Sequence, residues 1–144
     1  MKSCTFFGHR DCPDGIDEKL YCTIRRLIDE QGVDSFYVGN HGRFDQKVHA
    51  ALIKTQQEYP HIRCAVVLAY LPKPMDDQRY GLPTIYPAGL ETVPPRYAIL
   101  RRNQWMLQRS EAVISYVTRS GGGAAKFCEM ACKQGKTVIN LFQA

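Results

Sequence analysis

Short strand-like runs alternate with helix-spaced runs along nearly the whole chain, and this limits the fold more than any other feature of the sequence. Ser3–Phe7 is apolar and too short for a helix before the turn at Gly8-His9-Arg10. Asp11–Gly15 reads as a loop. Ile16, Leu20, Ile24, Leu27 and Ile28 then recur at helical spacing, and Gly32 ends that helix. Ser35–Val38 is a second strand, followed by the turn-rich Gly39–Arg43. Phe44, Val48, Ala51, Leu52 and Thr55 mark a second helix that stops at Tyr59-Pro60. Cys64–Tyr70 is a third strand, nearly continuous in apolar residues, as burial on both faces requires. Leu71–Pro95 holds six of the eight prolines and reads as a long loop with a short strand at Thr84–Tyr86. A helix over Arg96–Gln108, a strand over Ala112–Val117, a helix over Ala124–Lys133 and a strand over Thr137–Phe142 complete the chain. The pattern predicts a single α/β domain over residues 1–144: a three-layer Rossmann-like fold, its mainly parallel sheet flanked by helices. In such sheets ligands bind at the carboxyl ends of the strands.

The last strand-to-helix turn is Arg119-Ser120-Gly121-Gly122-Gly123-Ala124-Ala125-Lys126. A strand, a glycine turn and a helix start in this order aim backbone N–H groups at an anion. The expected phosphate turn is therefore Gly121, Gly122, Gly123 and Ala124. Ala124, Phe127, Cys128 and Ala131 form one apolar stripe on the following helix, leaving Lys126 and Glu129 off it. Lys126 reads either as a phosphate contact or as a solvated lysine. Glu129 reads either as an early-turn surface acid or as a catalytic carboxylate.

The helix before that strand carries Arg102 and Asn103 among Ile99 and Met106, so polar groups interrupt a packing face. A guanidinium placed there needs an anionic partner, or else a stem that packs while its head reaches water. Gly8, His9 and Arg10 follow the first strand, and Gly39, Asn40 and His41 follow the second, so all six are candidate ligand contacts. Asp45, at the helix start that follows Asn40-His41-Gly42, reads either as part of the same site or simply as a first-turn acid. His49 and His61 read as structural or exposed, and Tyr97 and Trp105 as packing residues. His9, His41, Cys12 and Asp45 match no standard metal spacing, so no metal is expected. Walker A, G-x-G-x-x-G and G-x-S-x-G motifs are absent, which disfavours hydride transfer and implies no cofactor.

Six cysteines form no C-x-x-C pair and read as reduced thiols. No apolar run approaches the roughly 20 residues of a membrane span, and no signal-peptide core precedes the first strand. A cytoplasmic location with no membrane contact is the expectation. The net charge of +5 permits an anionic ligand or a nucleic acid and selects neither.

Phe6-Phe7-Gly8-His9-Arg10, Phe36-Tyr37-Val38-Gly39-Asn40-His41-Gly42-Arg43-Phe44-Asp45 and Tyr59-Pro60, taken in order, resemble the small YpsA-type proteins of the SLOG superfamily. So do Arg102-Asn103-Gln104-Trp105-Met106 and Gly122-Gly123-Ala124-Ala125-Lys126. The resemblance covers nearly the whole chain. It implies a Rossmann-like fold that binds a nucleotide or nucleotide-derived ligand, with no assigned activity. The same superfamily includes the LOG phosphoribohydrolases, which cleave nucleoside monophosphates and carry an R-K pair followed by P-G-G-x-G-T-x-x-E. Against that signature Arg102 meets the arginine and Asn103 replaces the lysine. Gly121 takes the proline position, and Gly122 and Gly123 keep two glycines. Ala125 and Lys126 replace the G-T, and Glu129 keeps the glutamate.

Three functions follow as expectations. The leading one is a cytosolic domain that binds a nucleotide-like small molecule. Its base or ribose would lie near Gly8–Arg10 and Gly39–His41, and its phosphate on Gly121–Ala124 with Arg102. The second is an N-glycosidic hydrolase in which Glu129 and Arg102 are catalytic. The third is a single-stranded nucleic-acid module, by likeness to the DNA-processing protein A branch of the superfamily; the lack of a basic–aromatic stripe disfavours it. A homodimer is expected by analogy alone.

Overall fold

The computed structural model describes residues 2–143. Its strands are β1 (Ser3–Gly8), β2 (Ser35–Val38), β3 (Arg63–Val67), β4 (Thr84–Ile85), β5 (Ala112–Tyr116) and β6 (Thr137–Asn140). The helices are α1 (Asp17–Gln31), α2 (Arg43–Glu58), α3 (Asp76–Tyr80), α4 (Ala98–Gln108) and α5 (Gly122–Lys133). The strands form one sheet in the order β4-β3-β2-β1-β5-β6, and every pairing is parallel. This is the Rossmann-like α/β architecture expected from the alternating pattern.

Alternate residues of each strand feed two separate cores. From β1, Cys4 and Phe6 enter a core with Leu20, Ile24 and Leu27 of α1 and Phe44, Val48 and Leu52 of α2. Phe7 points to the opposite core, with Met106 and Leu107 of α4 and Phe127 and Ala131 of α5. The period of two along an extended chain explains the split. Phe6 stacks on Phe36 in the first core, and Phe7 on Phe127 in the second. The helices thus cover both faces of the sheet, and strands wetted on neither face read as continuous apolar runs.

The chain runs outward from β1 through β2 and β3 to β4. It then returns across the sheet to place β5 on the other side of β1. Connections diverge between β1 and β5, and such a divergence opens a crevice above the carboxyl ends of those two strands.

Several boundaries differ from the sequence expectation. β3 ends at Val67, so residues 68–70 leave the strand. The proline-rich segment contains α3 as well as the short edge strand β4, which pairs Val66 with Thr84 and Val67 with Ile85. α4 starts at Ala98 because Pro95–Tyr97 forms a separate 3-10 turn. α5 starts at Gly122, which puts two of the three glycines inside its first turn. Tyr97, expected to pack, is 45% exposed and lies under the Arg96 guanidinium.

Phe36 is fully buried in the middle of the sheet. Phe36→Ala is expected to lower unfolding free energy by about 3–5 kcal/mol, because little around it can collapse into the space. Urea denaturation measures this, and a loss below about 1 kcal/mol would contradict the packing described.

Candidate functional site

A cleft of about 390 Å³ opens at the β1/β5 divergence. Phe6, Phe7 and Gly8 form its floor at the end of β1. α4 contributes Ile99, Arg102, Asn103 and Met106. Gly122, Gly123 and Ala124 of α5 face them, and His9, Arg10, Asp11, His41, Asp45 and Arg119 supply the polar rim.

Arg102 is the largest fully buried side chain among the described residues, at 2% exposure. Its Nε donates to Asn103 Oδ1 at 2.8 Å. Its Nη1 donates to Asn40 Oδ1 at 3.1 Å and to the Val67 carbonyl at 2.9 Å. Its Nη2 lies 3.1 Å from His41 Nδ1. An arginine has five N–H donors and no acceptor, so His41 Nδ1 must accept here. One Nη2 hydrogen then has no partner among the described residues. None of the ion pairs among the described residues includes Arg102. Burial pulls its pKa down, opposed by the charge of Asp45. The result is a buried cation held by neutral acceptors at a cleft wall, an arrangement that favours an anion from outside.

One glycine makes room for this. A Cβ on Gly39 would fall 2.8 Å from Arg102 Cζ and 2.9 Å from Asp45 Oδ2. The backbone after β2 must therefore be bare for the guanidinium to lie against it. Across the cleft, Gly121 and Gly122 have φ of 83° and 80°, a left-handed conformation that side chains resist. This pair turns the chain into α5, whose first residues, Gly122, Gly123 and Ala124, line the cleft. The N–H groups of a helix's first turn have no partner within the helix, and the helix dipole adds positive potential there.

The histidines and Asp45 complete the electrostatics. His41 is held down at about 4, first by burial and then by Arg102 and Arg10, so it is neutral at pH 7. His9 is also lowered, by burial and then Arg119. His9 Nε2 accepts the Thr118 N–H at 3.0 Å, tying the end of β1 to the segment after β5. Asp45 accepts the His41 N–H at 3.0 Å, and burial pushes its carboxyl up to about 6 although Arg102 pulls the other way. At the mouth, Arg119 pairs with Asp11 at 3.3 Å, and this contact lowers the Asp11 pKa.

Of the residues singled out in the sequence, the fold brings Gly8, His9, Arg10, His41, Arg102, Asn103, Gly122, Gly123 and Ala124 to one cleft. Gly39 and Asn40 stand behind its wall as supports for Arg102, with Asn40 Nδ2 also donating to the Tyr80 hydroxyl at 3.0 Å. Gly121 precedes the lining as the turn residue. Lys126 and Glu129 are exposed on α5 and do not line the cleft. Asp45, Asp11, Arg119, Ile99 and Met106 do line it. Asp45 had a legible signal: it is the third helical residue after a glycine N-cap, where an acid reaches back to a preceding N–H. Among the described residues no group of three His, Cys, Asp or Glu side chains could hold a metal ion. A larger hollow of about 920 Å³ lies on the outer side of α4, but its only charged residue, Arg101, is exposed.

No protein-family model matches the chain, and no curated protein does. Among solved structures it is similar to DNA processing protein A (DprA) from Streptococcus pneumoniae, with a TM-score of 0.68 at 18% identity. The likeness is one of fold. It covers 95% of this chain and 49% of the DprA chain, so this chain spans about half the length of that protein.

The carboxyl of Asp45 makes a signed prediction. Its folded pKa, about 6, exceeds its ordinary value of 3.8, so the folded state binds the extra proton. That stabilisation is present at low pH and is lost as pH rises through about 6. Asp45→Asn has no such proton to lose and is expected to gain about 1 kcal/mol on the wild type between pH 5 and pH 7.5. Denaturant melts of both proteins at the two pH values test the sign; a wild type that gains on the variant would refute it.

Proposed function

We propose that this chain is a SLOG-type domain that binds a nucleotide or nucleotide-derived anion in the β1/β5 cleft. The phosphate sits on the first turn of α5, at Gly122–Ala124, beside Arg102. The observation that carries this reading is the buried Arg102, held only by neutral partners and facing a helix N-terminus across the cleft. Two sources of positive potential converge there, and phosphate is the common ligand group that uses both. The YpsA-like motifs support the same reading in part, because their residues Gly8, His9, Arg10, His41, Arg102, Asn103, Gly122, Gly123 and Ala124 line this cleft. A cytosolic setting fits the free thiols Cys4, Cys12, Cys22, Cys64, Cys128 and Cys132. No helix among the described residues is long and apolar enough to cross a membrane. A homodimer remains part of this reading by analogy.

The phosphoribohydrolase reading has less support, because Glu129 stands outside the cleft on an exposed part of α5. The nucleic-acid reading draws on the name of the structural neighbour, a DNA processing protein.

Gly123 has ordinary φ and no atom within 4 Å of where its Cβ would lie. Gly123→Asp should therefore fold as well as the wild type, with a small gain from the helix dipole. Its carboxylate would occupy the phosphate position. In calorimetric titrations with a panel of nucleotides and nucleotide sugars, at least one should bind the wild type, and the variant should bind it tenfold or more weakly. A panel with no binder overturns the reading. Salt-dependent binding of single-stranded oligonucleotides in place of mononucleotides would move the assignment to nucleic acid.

A further inference from the structure

Just beyond β3 the chain holds an aromatic side chain in an unusual setting. Tyr70 is 47% exposed, yet it is fixed at two points. Its ring meets the His41 ring edge-to-face at 5.9 Å between centroids. Its hydroxyl donates to the Pro95 carbonyl at 3.3 Å. His41 lines the cleft and accepts from Arg102, so Tyr70 packs against a residue of the cleft wall. Beside Tyr70 is a second hollow of about 370 Å³, with Leu71, Tyr86, Leu90, Val93 and Ala98 in its walls. The first turn of α4 separates the two spaces: Ala98 lines the hollow and Ile99 lines the cleft.

An aromatic ring that is exposed and already held in position has little freedom left to lose on binding, so it is a favourable stacking surface. The hollow next to it is largely apolar, with Glu91 as its charged member.

We infer that Tyr70 and the adjoining apolar hollow form a ring subsite, which takes the planar base of a nucleotide whose phosphate sits at the start of α5. This rests on the phosphate reading of the cleft given above. The ligand would run from the α5 amides past Arg102 and His41 to the Tyr70 ring. Stacking is tolerant of base identity because every base presents a π-face, so the subsite distinguishes a ring from no ring.

The experiment compares four nucleoside 5′-monophosphates with ribose 5-phosphate, by calorimetry, on the wild type, Tyr70→Leu and Tyr70→Phe. Tyr70 is half-exposed, so neither substitution threatens the core. The wild type should bind at least one monophosphate about tenfold more tightly than ribose 5-phosphate. Tyr70→Leu should abolish that advantage while leaving ribose 5-phosphate affinity unchanged, and Tyr70→Phe should keep most of it. Equal wild-type affinities for all five compounds, or an advantage that survives Tyr70→Leu, overturn the ring subsite and leave the phosphate site standing. Failure of the wild type to bind any of the five overturns both.

Discussion

Keeping the Arg102 guanidinium charged inside the protein is the constraint on which the site depends. An ionised group taken out of water needs its hydrogen bonds replaced one by one. Here the replacements are four groups from three parts of the chain: the amide of Asn40 and the ring of His41, the carbonyl of Val67, and the neighbouring Asn103. The ends of β2 and β3, the start of α2 and the middle of α4 are thereby fixed relative to one another. The bare backbone at Gly39 follows from the same demand, since any side chain there would meet the guanidinium.

The neighbouring titratable groups fall into line with that cation. His41 can accept from Arg102 only while unprotonated, and its low pKa secures that state. Asp45 supplies a partial counter-charge from a distance and turns one oxygen to the His41 backbone instead. The cleft therefore combines a cation, a helix N-terminus and two neutral imidazoles, while its exposed carboxylate, Asp11, is drawn off to Arg119 at the mouth. Positive potential inside and paired charge outside is a common way to admit an anion.

Much of this was legible in the sequence. The alternation of apolar runs gave the α/β class, and the strand ends bearing glycine or polar residues pointed to the edge of the sheet where the cleft lies. Arg102 stood out because a guanidinium interrupted an apolar helix stripe. What could not be read was direction. Periodicity places Lys126 and Glu129 off the packed stripe of α5, but it does not say whether that side turns to the cleft or to solvent, and both are exposed. Asn40 looked like a ligand contact from its place after β2, yet its amide is used between Arg102 and Tyr80. Asp45 carried a signal in its place at the helix start, but its burial comes from tertiary packing, which leaves no mark on local spacing. The segment from Leu71 to Pro95 concealed α3 because its prolines suppress any helical period longer than one turn.

The brevity of β4 bears on how copies of the chain can meet. An edge strand is a template for sheet growth in proportion to the backbone groups it leaves open. Two residues offer hardly any such groups, and the helical turn of α3 ends shortly before them. Extension of the sheet past this edge would gain a hydrogen bond or two, far less than the ordering it demands. The proline-rich excursion that closes the first half of the fold thus also works as a terminator. It leaves helix faces and loops, rather than strand addition at β4, as the surfaces through which this side of the molecule can associate.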